Sequence, residues 1–298
     1  ATFSTQYTVG TTQTDSSGNT LNSCDGKRNN PGAVYIFLGV VPNPAQPDGA
    51  LPSTTPAFVF YGTQAGGYDE QLSSSFDLNN DGYDDLVTGS YRSDYGNSNT
   101  GGITIAMGQP ATANKITVVC DGITRVSGLE TNDYFGSSVS AMGDLNGDGC
   151  DEFAVGAYGE DLGSSNQGSV RVFYGYGPSC TYDSMHAALF VSGTSNATAG
   201  YGLSSGQSVD GDNLPDLVAG GYGYSDQGTQ VGAAWLVLGS YIVTNPPSKL
   251  TGNLLLSAPK YPFYDGSLTG NFQVHGTAAG GRFGDTVALV PNLSGNGR

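Results

Sequence analysis

The run GDLNGDGCDEFAVGAY, residues 143–158, decides how the rest of the chain reads. Its first half sets oxygen-bearing side chains at alternate positions, Asp144, Asn146 and Asp148, followed by a glycine and then Glu152. Its second half is a short apolar strand. The same plan recurs as FDLNNDGYDDLVTGSY, 76–91, and as SVDGDNLPDLVAGGY, 208–222. Asp81, Asp148 and Asp212 mark equivalent points, at spacings of 67 and 64 residues. A pattern repeated at such a period implies a repeat architecture.

Working outward, each copy is followed by an apolar strand bounded by glycine: GGITIAMG at 101–108, GSVRVFYG at 168–175 and GAAWLVLG at 232–239. Upstream come a strand ending in glycine and then an aromatic-led strand: FVFYG with GGYDEQLSS, RVSG with DYFGSSVSA, and LFVSG with AGYGLSSGQ. Four short strands per unit, separated by turn residues, are the layout of one β-propeller blade. A fourth copy is split between the ends. FQVHG at 272–276 and GGRFGDTVALVPNLSGNGR at 280–298 are continued by ATFSTQYTVGTTQTDSSGN at 1–19 and GAVYIFLG at 32–39. The expectation is an all-β fold: one propeller domain over 1–298, with blades near 56–108, 122–175 and 187–239, and a fourth built from 250–298 plus 1–40. The Pro-rich connections at 40–55 and 240–271 read as exposed loops. Ends that complete a neighbour's blade instead would give a strand-exchanged assembly.

Composition agrees. The chain has 298 residues with 47 Gly, 18 Tyr and 12 Phe, and only 12% are charged, which favours turns and pleated, half-buried strands. The net charge of −16 repels phosphate backbones and anionic lipid, so nucleic acid and direct membrane insertion are excluded as partners. No apolar run is long enough for a transmembrane helix, and Ala1 reads as the first residue of a processed chain. Cys24, Cys120, Cys150 and Cys180 form no C-x-x-C pair, which argues for two disulfides and against zinc, with three connectivities open. Sequons at Asn196 and Asn292 agree with secretion as a glycoprotein.

The alternating oxygens carry the chemistry. A hard cation such as Ca²⁺ takes six to eight oxygen ligands, and clustered carboxylates repel one another unless a cation sits among them. The expected ligands are Asp77, Asn79, Asp81 and Asp85 with the Tyr83 carbonyl; Asp144, Asn146, Asp148 and Glu152 with the Cys150 carbonyl; and Ser208, Asp210, Asp212 and Asp216 with the Leu214 carbonyl. Asn213 stands where glycine is usual, and asparagine tolerates the left-handed backbone needed there. Asn292, Ser294 and Asn296 lack a carboxylate, so a fourth loop is expected to hold no ion. The count is about three Ca²⁺ sites.

These residues resemble the FG-GAP repeats of integrin α-subunit N-terminal propellers. The Phe-Gly signature reads as Phe135-Gly136, Phe283-Gly284 and Tyr201-Gly202, with Tyr68-Asp69 in the first repeat. The Gly-Ala-Pro signature survives as Gly89-Ser90-Tyr91, Gly156-Ala157-Tyr158 and Gly220-Gly221-Tyr222. The resemblance implies structural calcium, an extracellular or cell-surface location, and ligand binding on a propeller face in cell adhesion. Family propellers usually have seven blades, and integrin heads pair with a β-subunit.

Three function classes follow. A recognition module would bind a glycan or an extracellular protein. Tyr91, Tyr158 and Tyr222 recur just after the second strand, each with an acid nearby (Asp94, Glu160 and Asp161, Asp226), and tyrosine beside carboxylate suits sugar stacking. The alternative is that these rings pack between blades. A structural subunit would self-assemble through its ends into a matrix, coat or filament. An enzyme, for instance a hydrolase, is the weakest reading. Gly202-Leu203-Ser204-Ser205-Gly206 matches G-x-S-x-G, but within a strand and not at a strand-to-helix turn, and the two histidines, His186 and His275, lie near no nucleophile.

Overall fold

A computed structural model describes residues 71–94, 97–108, 123–183, 187–192, 194–244 and 272–290, with short strands at 13–14, 20–21, 33–36, 58–61, 117–118 and 254–255. Cys24, Cys120, Tyr68-Asp69, His186, the 40–55 connection and the loop at Asn292 lie outside the described residues.

The fold is nearly all β and is built of propeller blades. The first blade runs Gln71–Phe76, Asp85–Gly89, Gly102–Ala106 and Ile123–Ser127, each antiparallel to the next. The second runs Phe135–Gly143, Glu152–Ala157, Ser169–Phe173 and Ala187–Val191. The third runs Gly202–Gln207, Asp216–Gly221, Ala233–Val237 and Phe272–His275. Nearer the N-terminus, Ala33–Ile36 pairs antiparallel with Phe58–Tyr61 as the outer two strands of a blade do. Two short outermost strands come from connections further along the chain and pair parallel: Thr117–Val118 on Phe58–Tyr61, and Leu254–Leu255 on Ala187–Val191. They cover edges that would otherwise be open for pairing.

Middle strands are buried on both faces, which is why they read as apolar runs and not as alternating ones. In Glu152–Ala157, Phe153 and Val155 face the first blade and Ala154 faces the third. Two cores result. One gathers Leu78, Val87, Ile103, Ile105, Phe135, Phe153, Val155 and Phe173 between the first and second blades. The other gathers Met142, Leu145, Ala154, Val170, Phe190, Leu217, Trp235 and Ile242 between the second and third. Phe153 and Phe173 stack with centroids 5.1 Å apart.

Blades are joined at the start of each innermost strand by parallel bridges, Gly101 to Phe135, Gly168 to Ala199 and Gly232 to Phe283. At the same level the glycine of the second strand lies against the next blade's backbone: a Cβ on Gly156 would collide with the Gly200 carbonyl. This corrects one expectation. The place held by Phe135-Gly136 is held in the third blade by Ala199-Gly200, two residues before Tyr201-Gly202, and Gly136 and Gly200 share φ values of 86° and 84°. Phe283-Gly284 repeats the arrangement against the third blade, so 283–290 follows the path of a further innermost strand, with Leu289 N–H donating to Ser204 Oγ at 2.9 Å.

The connection after Trp235 also departs from an exposed loop. Gly239–Thr244 is a short helix whose Ile242 is fully buried beside Leu145. Cys150 pairs with Cys180, which fixes one of the bridges left open by the sequence.

Candidate metal loops

Each loop joins the first and second strands of its blade, and its side chains fold it onto itself. In loop one the Asp77 carboxylate accepts the N–H groups of Asp81 (2.9 Å) and Gly82 (2.8 Å), Asn79 Oδ1 accepts Asp81 N–H at 3.2 Å, and Asp81 Oδ1 accepts Tyr83 N–H at 2.9 Å. Loop two repeats this. Asp144 accepts from Gly147 (2.8 Å), Asp148 and Gly149 (both 3.1 Å), Asn146 from Asp148 (2.9 Å), and Asp148 from Cys150 (2.9 Å). Loop three keeps the pattern with Ser208 Oγ accepting Gly211 N–H (3.1 Å), Asp210 accepting Asp212 N–H (3.2 Å) and Asp212 accepting Leu214 N–H (2.8 Å). These are Asx- and Ser-type turns. The turn positions need positive φ: Gly82 has 87°, Gly149 90°, and Asn213 takes 68° in the same place.

The last acid of each loop begins the second strand and points inward. Asp85 accepts Leu78 N–H at 2.6 Å and Gly108 N–H at 2.5 Å; Asp216 accepts Val209 N–H at 2.6 Å and Gly239 N–H at 2.8 Å. Glu152 accepts Leu145 N–H at 2.8 Å. All three are buried. Burial, reinforced by neighbouring loop carboxylates and opposed by the backbone N–H groups, pushes Asp85 up to about 6 and Glu152 up to about 8, and raises Asp216 as well.

The donors suit a hard divalent cation by kind: carboxylate, amide and hydroxyl oxygens at alternate positions, ending in a buried acid. As placed, however, the loop oxygens are engaged with their own backbone. Among the described residues no three His, Cys, Asp or Glu side chains are grouped to hold a metal ion.

The loops also lock blades together. Leu78, held through its N–H by Asp85, has no exposed surface and packs with Cys150, Cys180 and Tyr182 of the next blade, and Leu145 enters the third blade's core in the same way.

At the other end of the second strands the three predicted tyrosines fall into one row with two that sequence reasoning missed. Centroids lie 6.2 Å apart for Tyr91 and Tyr134, 4.7 Å for Tyr134 and Tyr158, 5.2 Å for Tyr158 and Tyr201, and 4.7 Å for Tyr201 and Tyr222. Arg92 lies over Tyr91 and Arg282 over Tyr222, and the five rings are half-buried. Tyr134 and Tyr158 are parallel to within 6°, so each covers a face of the other. Tyr134 was legible only as the residue before Phe135-Gly136. The nearby acids serve the loops: Asp94 accepts Asn99 N–H at 2.7 Å, Asp161 accepts Asn166 N–H at 2.5 Å, and buried Glu160 binds Ser169 and Arg171.

The remaining sequence features are placed as follows. Asn196 is exposed, with its Oδ1 accepting from Asn166 Nδ2 at 3.4 Å. Ser204 and Ser205 lie in the strand Gly202–Gln207, with Ser205 Oγ on the Ala141 carbonyl, and His275 Nε2 stands 3.9 Å from Asp226.

Four-stranded blades joined through glycine contacts, with an acidic loop after each innermost strand, define an FG-GAP type of unit. The FG-GAP repeat family matches residues 70–105 and 135–173, the inner three strands of the first and second blades. Integrin alpha-3 of Cricetulus griseus is 33% identical over 172 residues, covering 54% of this chain and 15% of that protein. Integrin alpha-5 of Xenopus laevis is 29% identical over 179 residues, covering 55% and 16%, and integrin alpha-PS2 of Drosophila melanogaster is 32% identical over 182 residues, covering 57% and 12%. The chain thus carries FG-GAP repeats and is similar to integrin α-subunits over about half its length, while spanning only 12–16% of those relatives. It is an extracellular or cell-surface chain, in keeping with its disulfide, and among the described residues no helix is long and apolar enough to cross a membrane.

Proposed function

We propose that the chain is a calcium-stabilised adhesion or recognition module, not an enzyme, that binds an extracellular protein or glycan on the propeller face opposite its loops. The observation that carries this is the threefold repetition of one loop geometry, each copy ending in a buried acid that a cation would allow to ionise. Ca²⁺ would be held in loop one by Asp77, Asn79, Asp81, Asp85 and the Tyr83 carbonyl. Loop two would use Asp144, Asn146, Asp148, Glu152 and the Cys150 carbonyl, and loop three Ser208, Asp210, Asp212, Asp216 and the Leu214 carbonyl. Bound there, the ion supplies charge neutralisation and fixes Leu78, Leu145 and Val209 against their neighbours.

The tyrosine row is the candidate ligand face, since it is half-exposed, crosses three blades and lies at the strand ends away from the loops. Tyr91, Tyr158 and Tyr222 each already have one face in contact with another side chain, so a ligand meets hydroxyls and ring edges as well as ring faces. A glycan on exposed Asn196 would stand on this side. Closure of a fourth blade by the N-terminal strands onto 283–290 belongs to the same reading.

Calorimetric titration of metal-free protein with Ca²⁺ tests the cation half of the proposal. About three binding events, reduced by one in Asp144→Asn, are expected; absence of binding heat up to millimolar Ca²⁺ would refute it. A glycan array and a panel of extracellular proteins, probed in calcium, test the ligand half. Binding reduced by Tyr158→Ala supports this face, and binding indifferent to Tyr91, Tyr158 and Tyr222 removes it.

A further inference from the structure

Loops one and two are tied to each other directly. Asp77 N–H, at the head of loop one, donates to Asp151 Oδ2 of loop two at 2.9 Å. The Tyr182 hydroxyl lies 2.7 Å from both the Leu78 carbonyl and the Asp151 carbonyl, so its single proton is shared between the two loops. Tyr182 is 2% exposed and packs on Phe153 at 5.3 Å. Two residues before it, Cys180 is bonded to Cys150 inside loop two. Asp151 stands between Cys150 and Glu152, two of the proposed ligand positions.

We propose that Tyr182 and Asp151 couple the first two loops, so that a divalent cation in loop two raises the affinity of loop one for a second. The inference rests on the calcium reading above. A cation that orders residues 150–152 fixes the Asp151 carboxylate and carbonyl, and Tyr182 with them. Those groups hold the Asp77 N–H and the Leu78 carbonyl, so loop one is ordered before its own cation arrives and its binding carries less entropic cost. Among the described residues, loops two and three lack the same link. At the Asp151 position loop three has Pro215, which has no carboxylate to accept a backbone N–H of loop two.

Loop one can be followed by itself. Tyr83, at its seventh position, is 43% exposed, where loops two and three have Cys150 and Leu214. Terbium luminescence excited through tyrosine, in the full chain, has a component that Tyr83→Leu removes; that component reports loop one. Asp144→Asn, which disables loop two but keeps its turn acceptor, is expected to weaken terbium binding at loop one about fivefold, a modest coupling. Tyr182→Phe keeps the ring and should weaken loop one similarly, and adding Asp144→Asn to it should do little more. Asp151→Asn, which keeps an acceptor oxygen, should retain the coupling that Asp151→Ala loses.

Unchanged or tighter loop-one binding in Asp144→Asn overturns the proposal. So does an undiminished effect of Asp144→Asn in the Tyr182→Phe background. If wild-type emission has no Tyr83-dependent component, the calcium reading of loop one itself is at fault, and this is distinguishable from lost coupling.

Discussion

Glu152 shows how much one residue decides. Its carboxylate is buried, caps Leu145 N–H, and is pushed up to about 8 by burial; Asp85 is pushed up to about 6 for the same reason. An acid whose pKa is raised by folding holds a proton that the unfolded chain has released. The metal-free fold is therefore expected to lose stability as pH rises from about 4 to about 8. Bound Ca²⁺ favours the ionised form and should flatten that slope, which denaturant melts at several pH values, with calcium and with chelator, will show. The place of such acids at the loop's end was legible in sequence because nine residues contain the whole loop, whereas their capping of Leu78 and Leu145 N–H was not. The hydroxyl of Tyr182 was not legible, because its acceptor at Leu78 lies 104 residues away.

At the scale of the strand, the apolar middle strands were readable as blade interiors, since burial on both faces leaves no polar alternation. Their partners across blades were not. Phe153 has no exposed surface and meets Phe173 and Tyr182, so Phe153→Ala should cost about 3–5 kcal/mol in urea unfolding. Gly156 touches the Gly200 carbonyl where a Cβ has no room, and Gly156→Ala should destabilise by about 2 kcal/mol or more by the same measurement. Reading Tyr201-Gly202 in place of Ala199-Gly200 as the third Phe-Gly pair followed aromatic identity; the structure follows the left-handed glycine instead. The short helix at Gly239–Thr244 was missed because its six residues span fewer than two turns, too few to show a helical period. The Cys150–Cys180 bridge closes a separation of 30 residues, and its removal by Cys180→Ser should cost about 3–4 kcal/mol by the chain-entropy account.

At the scale of the molecule, repetition made the propeller legible: loop, glycine and tyrosine recur together, which a single Asp/Asn turn could not have shown. The route by which each loop secures the next blade came from tertiary packing, with Leu78 and Leu145 crossing between sheets. If cations hold the loops, their removal should loosen blade-to-blade contacts across the whole chain. Thermal melting of the chain in millimolar calcium and in chelator tests that most directly. The account predicts a melting temperature several degrees higher in calcium, with the gain reduced in Asp144→Asn, whereas identical melting curves in the two conditions would contradict it.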